Sequence, residues 1–379
     1  NDFLEENGPR HRGTRLKISC CGRRACQAKG LSRRIAATRK TESRRKISAA
    51  SSWPVGEIMA NWRADILTSF AAARKWMRIT VKQAHVRDIL IIANPVAGKG
   101  KSVQKTRVLT DLLRSRNHRV EVFITEKPGD ATTRARSVGS SCDRIVIAGG
   151  DGTVNEVLNG LEEPFSIPIV HFAAGTANQL AHHLKTPKKP AKLIPLIEDG
   201  AIRRIDMGLV GAHRFLLQTS AGFDALVTKV MAEQARIGSG YLAYAMPIIK
   251  AIFHHGLTDI DVQINGGDAK RARGVIITKV SHYGGIFVFC KSASMDTGAF
   301  DICLFHERSL LVHLCSFLAA LLRLTPYVPW ISHERGTHVR IQASSPIPVQ
   351  IDGTYIGTTP IEVQLMPQAV PVLVARQPP

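Results

Sequence analysis

Between Asp88 and Asp206, short apolar β-rich runs alternate with helical ones, and nothing else in the chain constrains its fold as tightly. "DILIIAN" reads as a strand, residues 102–117 as a helix, "RVEVFIT" as a strand and residues 130–140 as a helix. "DRIVIAG" and "IPIVHFA" are further strands, followed by helices over residues 153–160 and 177–184. Units of this length build a parallel sheet covered by helices on both faces. Ligands of such sheets gather at the carboxyl ends of the strands, where the turns lie. After Asp206 strand-like runs dominate: "HRFLLQTS", "LTDIDVQIN", "RGVIITKVS", "GGIFVFC" and "AFDICLFHE". Apolar helical stretches around residues 241–255 and 310–324 interrupt them, and the end reads as a β-meander with Gly and Pro at its turns. The expected fold is an α/β domain over residues 86–206, followed by a mostly antiparallel, β-rich second domain.

Three strand-to-helix turns share one chemistry. The first runs from Asn94 to Ser102 and ends Gly100-Lys101-Ser102, like the nucleotide loop G-x-x-x-x-G-K-[ST]. Pro95 stands where the first glycine of that pattern belongs. Proline has a fixed φ and no N–H, so it can neither make the tight turn nor point a donor at phosphate. The second turn is Gly149-Gly150-Asp151-Gly152-Thr153, and the third is Gly175-Thr176-Ala177-Asn178. Glycines let the backbone pass close to a ligand, and N–H groups at a helix start favour an anion. An acid in such a turn repels phosphate unless it works through Mg²⁺ or accepts a proton. Singly, each turn also reads as a plain corner; together they describe a nucleoside-triphosphate cradle without a P-loop.

The net charge of +21 is concentrated at the start, where residues 1–58 hold fourteen Lys/Arg against five Asp/Glu. With little apolar periodicity, that segment is expected to be disordered in isolation and able to meet anionic lipid or nucleic acid. The opening Asn, with Met59 and Met77 just ahead of the first strand, is the pattern an over-extended reading frame leaves, so no nucleic-acid function is expected. The seven cysteines lack metal or paired spacing, which suggests reduced thiols and a cytoplasmic setting. No apolar run reaches the roughly 20 residues a membrane span needs. The longest, residues 310–322, contains His313 and reads as a partly buried helix.

"NPVAGKGK", "GGDGTVNEVLNGL" and "GTANQLA", in this order, resemble the diacylglycerol kinase catalytic domain. The resemblance is to the lipid-kinase superfamily that includes sphingosine and ceramide kinases and the bacterial YegS/DgkB-like enzymes. It extends through "IDMG", "FLLQTSAGFDA", "YGGIFVF" and "QIDGTYIGTTP", and leaves the basic residues 1–85 unmatched as an extension. It implies an ATP- and Mg²⁺-dependent lipid kinase with an NAD-kinase/phosphofructokinase-like nucleotide domain. A lipid-acceptor domain would span residues 207–354, and residues 355–379 would return to the first domain. ATP would be contacted by Asn94, Thr125, Gly149, Gly150, Asp151, Gly152, Thr153, Asn155 and Thr176. Gly98, Lys99, Glu156, Gly175 and Asn178 complete the candidate nucleotide site. Asp151 would act near Mg²⁺ and the transferred phosphate. On this reading the first turn holds nucleotide but is not a Walker loop.

Three positions depart from the family pattern. Its Asp-Gly-Glu, whose Glu is the proposed proton acceptor of bacterial members, is Asp352-Gly353-Thr354 here. A threonine is no base at neutral pH, which leaves Asp352 or Asp151 to take the proton of the lipid hydroxyl. The Asp-Gly pair that helps hold a structural Mg²⁺ is Thr297-Gly298, with Asp296 one place early as a substitute ligand. The Asp that usually follows Asn178 is Gln179. These changes also fit a second reading, a catalytically weak nucleotide or lipid sensor. The expected partner is a lipid at a membrane surface, met peripherally, and a homodimer is compatible with this. "GYLAYAMPIIKAIF" and "LLVHLCSFLAALLRL" are candidate pocket walls, with ordinary core burial the stronger alternative. Lys185, Lys188, Lys189, Arg203 and Arg204 are candidate headgroup contacts.

Overall fold

The computed structural model describes residues 86–98, 100–234, 258–307 and 309–376. The basic extension, Lys99 and the apolar stretch at residues 240–253 lie outside the described residues.

The first half alternates as its pattern requires: β1 (Asp88–Ala93), α1 (Lys101–Arg114), β2 (Arg119–Ile124), α2 (Asp130–Arg136) and β3 (Arg144–Gly149). It continues through α3 (Asp151–Gly160), β4 (Ile169–Ala173), α4 (Gln179–His183) and α5 (Pro190–Asp199). The strands lie parallel in the order β2-β1-β3-β4. Successive strand residues face opposite ways, so β1 feeds two cores. Ile89, Ile91 and Ala93 pack with Leu109 and Leu113 of α1 and Leu193 and Ile197 of α5. Leu90 and Ile92 pack on the other face with Ala131 and Ala135 of α2 and Val154, Val157 and Leu158 of α3. Each such fully buried Leu or Ile contributes roughly 1.5–3 kcal/mol. The helices therefore pin the three glycine-bearing turns at one edge of the sheet.

The second half contains β5 (Ala201–Val210), β6 (His213–Phe215), β7 (Gln218–Ala221), α6 (Phe223–Gln234), β8 (Ile260–Ile264), β9 (Lys270–Ala272) and β10 (Gly274–Thr278). It ends with β11 (Phe300–Phe305), α7 (Leu310–Leu321), β12 (Ile331–Gly336), β13 (His338–Ala343), β14 (Pro348–Ile351), β15 (Thr354–Thr358) and β16 (Ile361–Val374). An antiparallel sheet runs β12-β11-β10-β7-β14-β15. One of its faces packs Val275, Ile277, Ile302 and Leu304 against Val262, Val339 and Ile341 of β8 and β13. The expected fold class thus holds: an α/β region and an antiparallel β-rich region.

Three local expectations are corrected. "HRFLLQTS" is two strands, β6 and β7, because the intervening N–H groups turn to a carboxylate rather than to a neighbouring strand. "GGIFVFC" is a turn, closed by a bridge between Tyr283 and Phe287, with Gly284 and Gly285 at φ 57° and 85°. The C-terminal strands are no simple meander. The β14–β15 hairpin belongs to the antiparallel sheet, whereas β13 and β16 join the first one. β16 pairs in parallel with β4 at Val372–Ile169 and antiparallel with β5 along most of its length, around a bulge between Met366 and Val370.

Candidate active site

The three turns meet. A Cβ added at Gly175 would lie 2.5 Å from Gly150 Cα, and one at Gly98 would lie 2.4 Å from the Ala174 carbonyl oxygen. Glycine is needed at both places because backbone passes against backbone. Asn94, at the end of β1, donates its side-chain N–H to Thr153 Oγ1 (3.2 Å) and accepts the Val96 N–H (3.1 Å), tying the first turn to α3. Thr125 is buried beside it, its N–H on the Ala93 carbonyl (2.9 Å). Gly152 sits exposed in the first turn of α3, with open space where a Cβ would stand, and Thr176 is exposed on the third turn. An open helix N-terminus flanked by two glycine turns is a place for phosphate.

Several of the candidate ligands also hydrogen-bond within the framework of that cradle. Asn178, at φ 48°, accepts the Gly175 N–H (2.8 Å) and donates to the Gly175 carbonyl (2.6 Å), so it closes the third turn. Glu156 accepts the Gly129 N–H (3.1 Å) and ties α3 to the start of α2. Asp151 accepts the N–H of Gln179 (2.9 Å) and of Leu180 (3.2 Å), one on each oxygen, and so caps α4. An acid at a helix N-terminus stabilises it. Behind Asp151 lies buried His171, with Nδ1 4.0 Å from Asp151 Oδ1 and Nε2 3.0 Å from the Gly149 carbonyl. Burial holds the His171 imidazole below its ordinary range, and Asp151 opposes that shift.

One helical turn beyond Asp151, Asn155 reaches the second half of the chain. Its amide donates to the Arg214 carbonyl (2.9 Å) and to Asp352 Oδ2 (3.2 Å). Asp352 also accepts the backbone N–H groups of Leu216 (3.0 Å), Leu217 (3.0 Å) and Gln218 (2.9 Å). These are the donors that part β6 from β7. Burial pushes the Asp352 carboxyl up to about 6, against the pull of its N–H partners. Thr354 is exposed at the start of β15. Asp151 and Asp352 are thereby strung along one helix, each already engaged.

Asp296, the candidate metal ligand, is ion-paired and hydrogen-bonded within the chain. Its Oδ2 takes Arg203 Nε (3.1 Å) and Nη2 (2.5 Å), and its Oδ1 accepts from Ser294 Oγ (2.8 Å). Those bonds hold the carboxyl below its usual range. Among the described residues, no cluster of three or more His, Cys, Asp or Glu could hold a metal ion. Arg203 and Arg204 are likewise taken up, Arg204 by the Ala369 carbonyl (3.0 Å), whereas Lys185, Lys188 and Lys189 are exposed.

Two groups escaped sequence reasoning. Half-buried Asp224 bonds Ser220 Oγ, and Gln350 Nε2 stands 2.9 Å from Ser220 Oγ and 3.5 Å from the Tyr283 hydroxyl. Burial raises both the Asp224 carboxyl and the Tyr283 phenol. His183 accepts the Ser281 N–H (3.2 Å), and burial, aided by His282, His182 and Arg203, takes it down to about 4. Ser220, Asp224, Tyr283 and Gln350 fall within quoted motifs, but their meeting is set by the fold, as is that of His183 with Ser281.

Residues 88–210 match the diacylglycerol kinase catalytic domain, and residues 218–374 match the YegS C-terminal NAD kinase beta sandwich-like domain. A diacylglycerol kinase of Staphylococcus carnosus (strain TM300) is 24% identical over 290 residues, covering 74% of this chain and 93% of that protein. A diacylglycerol kinase of Bacillus subtilis (strain 168) is 25% identical over 279 residues, covering 72% and 91%. A solved structure of a diacylglycerol kinase from Bacillus anthracis shares the fold, with a TM-score of 0.61 at 22% identity, over 77% of this chain and 98% of that one.

Proposed function

The chain belongs to the YegS/DgkB-like diacylglycerol kinase family of lipid kinases, and from that premise we propose that it transfers the γ-phosphate of Mg-ATP to the hydroxyl of diacylglycerol or a related lipid, such as a sphingoid base or phosphatidylglycerol. The observation that carries this is the meeting of three glycine turns at an open helix start, with a half-buried carboxylate of raised proton affinity brought to the same helix. Phosphoryl transfer rests chiefly on positioning and on neutralising phosphate charge. Asn94, Gly98, Gly149, Gly150, Gly152, Thr153 and Gly175 would supply the cradle, and Asp151 would keep the second and third turns in register. Magnesium, bound with the nucleotide, would neutralise phosphate charge. Asp352 is the carboxylate suited to take the hydroxyl proton, since a group near 6 is ionised at neutral pH yet still basic. Its Oδ2–Asn155 contact, the longest of its bonds, is the one to yield.

The lipid acceptor places the enzyme at a bilayer surface. No helix among the described residues is long and apolar enough to cross a membrane. α7 instead turns a leucine face outward, with Leu311 69%, Leu314 51% and Leu318 55% exposed, and Tyr327 82% exposed just beyond it. A contiguous apolar face of this kind suits peripheral docking.

The sensor reading draws on a different observation: both Asp151 oxygens and both Asp352 oxygens are already hydrogen-bonded, and Thr354 is no base. Phosphate transfer from Mg-ATP to diacylglycerol, sphingosine, ceramide and phosphatidylglycerol in mixed micelles separates the two. A phosphorylated lipid that is lost in Asp352→Asn supports the kinase. Nucleotide binding with no lipid product from any acceptor supports the sensor.

A further inference from the structure

Lys279, just past β10, and Asp206, on β5, are both 0% exposed and face one another. Lys279 Nζ lies 2.8 Å from Asp206 Oδ2, 2.6 Å from the Ala299 carbonyl oxygen and 3.0 Å from Thr297 Oγ1. Three ammonium hydrogens thus meet three oxygens, one from β5 and two from the loop before β11. Asp206 is completed by the Gly298 N–H on Oδ2 (2.8 Å) and the Gln368 N–H on Oδ1 (2.9 Å). The cage joins β5, the bulge of β16, the end of β10 and the loop before β11, and so clamps the two sheets together. It also reaches the candidate site. The Lys279 N–H donates to the Leu217 carbonyl (2.8 Å), and the N–H of that same Leu217 holds Asp352 Oδ1.

We propose that the Lys279 ammonium is this chain's built-in structural cation, occupying the oxygen cage at Thr297-Gly298 where the family resemblance would put a magnesium ion, so that the sheet junction is independent of divalent metal. Charge accounts for the exchange. The cage holds one carboxylate, and one ammonium neutralises it. A divalent ion added beside Lys279 would leave buried positive charge uncompensated, which is costly. The second carboxylate that a metal would want, Asp296, is committed to Arg203.

The test is thermal unfolding of the full chain without nucleotide, in excess EDTA and in Mg²⁺. The expected result is one Tm in both conditions for the wild type. Lys279→Met, which strands Asp206, is expected to lower Tm by roughly 5–10 °C with no recovery in Mg²⁺. The double variant Lys279→Ala/Thr297→Asp empties the cage and adds a carboxylate, and its Tm is expected to rise with Mg²⁺ or Mn²⁺. A wild-type Tm that falls in EDTA and returns with Mg²⁺ overturns the proposal, as does Lys279→Met melting with the wild type. A folded double variant that ignores both ions also overturns it, because the cage would then be no cation site. The wild-type comparison decides even where a variant does not fold, and a melting readout leaves the kinase reading untouched.

Discussion

Asp352 is asked to do two things that pull apart: to anchor the backbone between β6 and β7, and to supply a base. Asp352→Asn keeps the shape but sets an NH₂ group against N–H donors. Lipid phosphorylation is expected to fall by about 10²–10⁴-fold, the usual worth of a positioned base. In the wild type the pH–rate profile should rise to a plateau through an inflection near 6. The same substitution has a signature in stability. His183 is lowered to about 4 in the fold, so between there and its unfolded value near 6.5 the unfolded chain binds the extra proton, and stability is lost as pH falls. Asp352 is raised from 3.8 to about 6, so the folded chain holds the extra proton in that window, and stability is lost as pH rises. The two slopes oppose each other between about pH 4 and 6. Asp352→Asn removes one of them, and urea unfolding should then show stability climbing by up to ~1.4 kcal/mol per pH unit across the window. A slope unchanged from wild type would show that the Asp352 proton affinity is ordinary. Gly175→Ala makes a separate point about the cradle: its methyl would press on Gly150 Cα, and isothermal titration should find ATP affinity at least about tenfold weaker with the fold intact. The glycines of these turns were legible in the sequence because a backbone contact needs glycine whatever surrounds it. Asp352 was legible as a candidate base, but not as the anchor of the backbone between β6 and β7. Its bonding partners Leu216, Leu217 and Gln218 lie more than a hundred positions earlier, where no local pattern points to them.

Elements whose surroundings follow from their own periodicity were read correctly, and those whose surroundings come from elsewhere were not. β1 announces two buried faces in its unbroken apolar run, and α1 and α3 supply those faces. "HRFLLQTS" has the pattern of one strand, yet a remote carboxylate claims its middle N–H groups. α7 was legible in part: a partly buried helix was expected there, and the structure adds that Leu311, Leu314 and Leu318 are the residues facing out. Spacings of three and four put them on a single stripe, and a charge in that stripe should leave the core packing of Ala320 alone. Leu314→Asp/Leu318→Asp is therefore expected to keep the wild-type Tm while losing most binding in a flotation assay with diacylglycerol-containing vesicles. Phosphorylation in detergent micelles should be less affected than phosphorylation on vesicles. Unchanged vesicle binding would show that this face does not carry the membrane contact.

At the scale of the whole chain, the residue-206 boundary between an α/β and a β-rich region falls inside β5, so the change of sequence character does not coincide with a break in structure. β16 pairs with β4, β5 and β13 at once, and the core beneath β8 and β13 is shared with the antiparallel sheet. Among the described residues, Asn155 to Asp352 and Lys279 to Asp206 both bond across the junction. Two regions joined by continuous strands and buried polar pairs cannot unfold one at a time without exposing apolar surface and stranding charge. Residues 84–379 are accordingly expected to unfold in one transition. Native-state hydrogen exchange in rising urea should show amides of β1, β3 and β4 converging on the same opening free energy as those of β7, β10 and β11. Removing β16 by truncation after Thr359 should abolish protection in both groups together, although its residues lie at the far end of the chain from β1. Separate convergence, with the β1–β4 amides opening several kcal/mol below the others, would mean that the junction is a hinge.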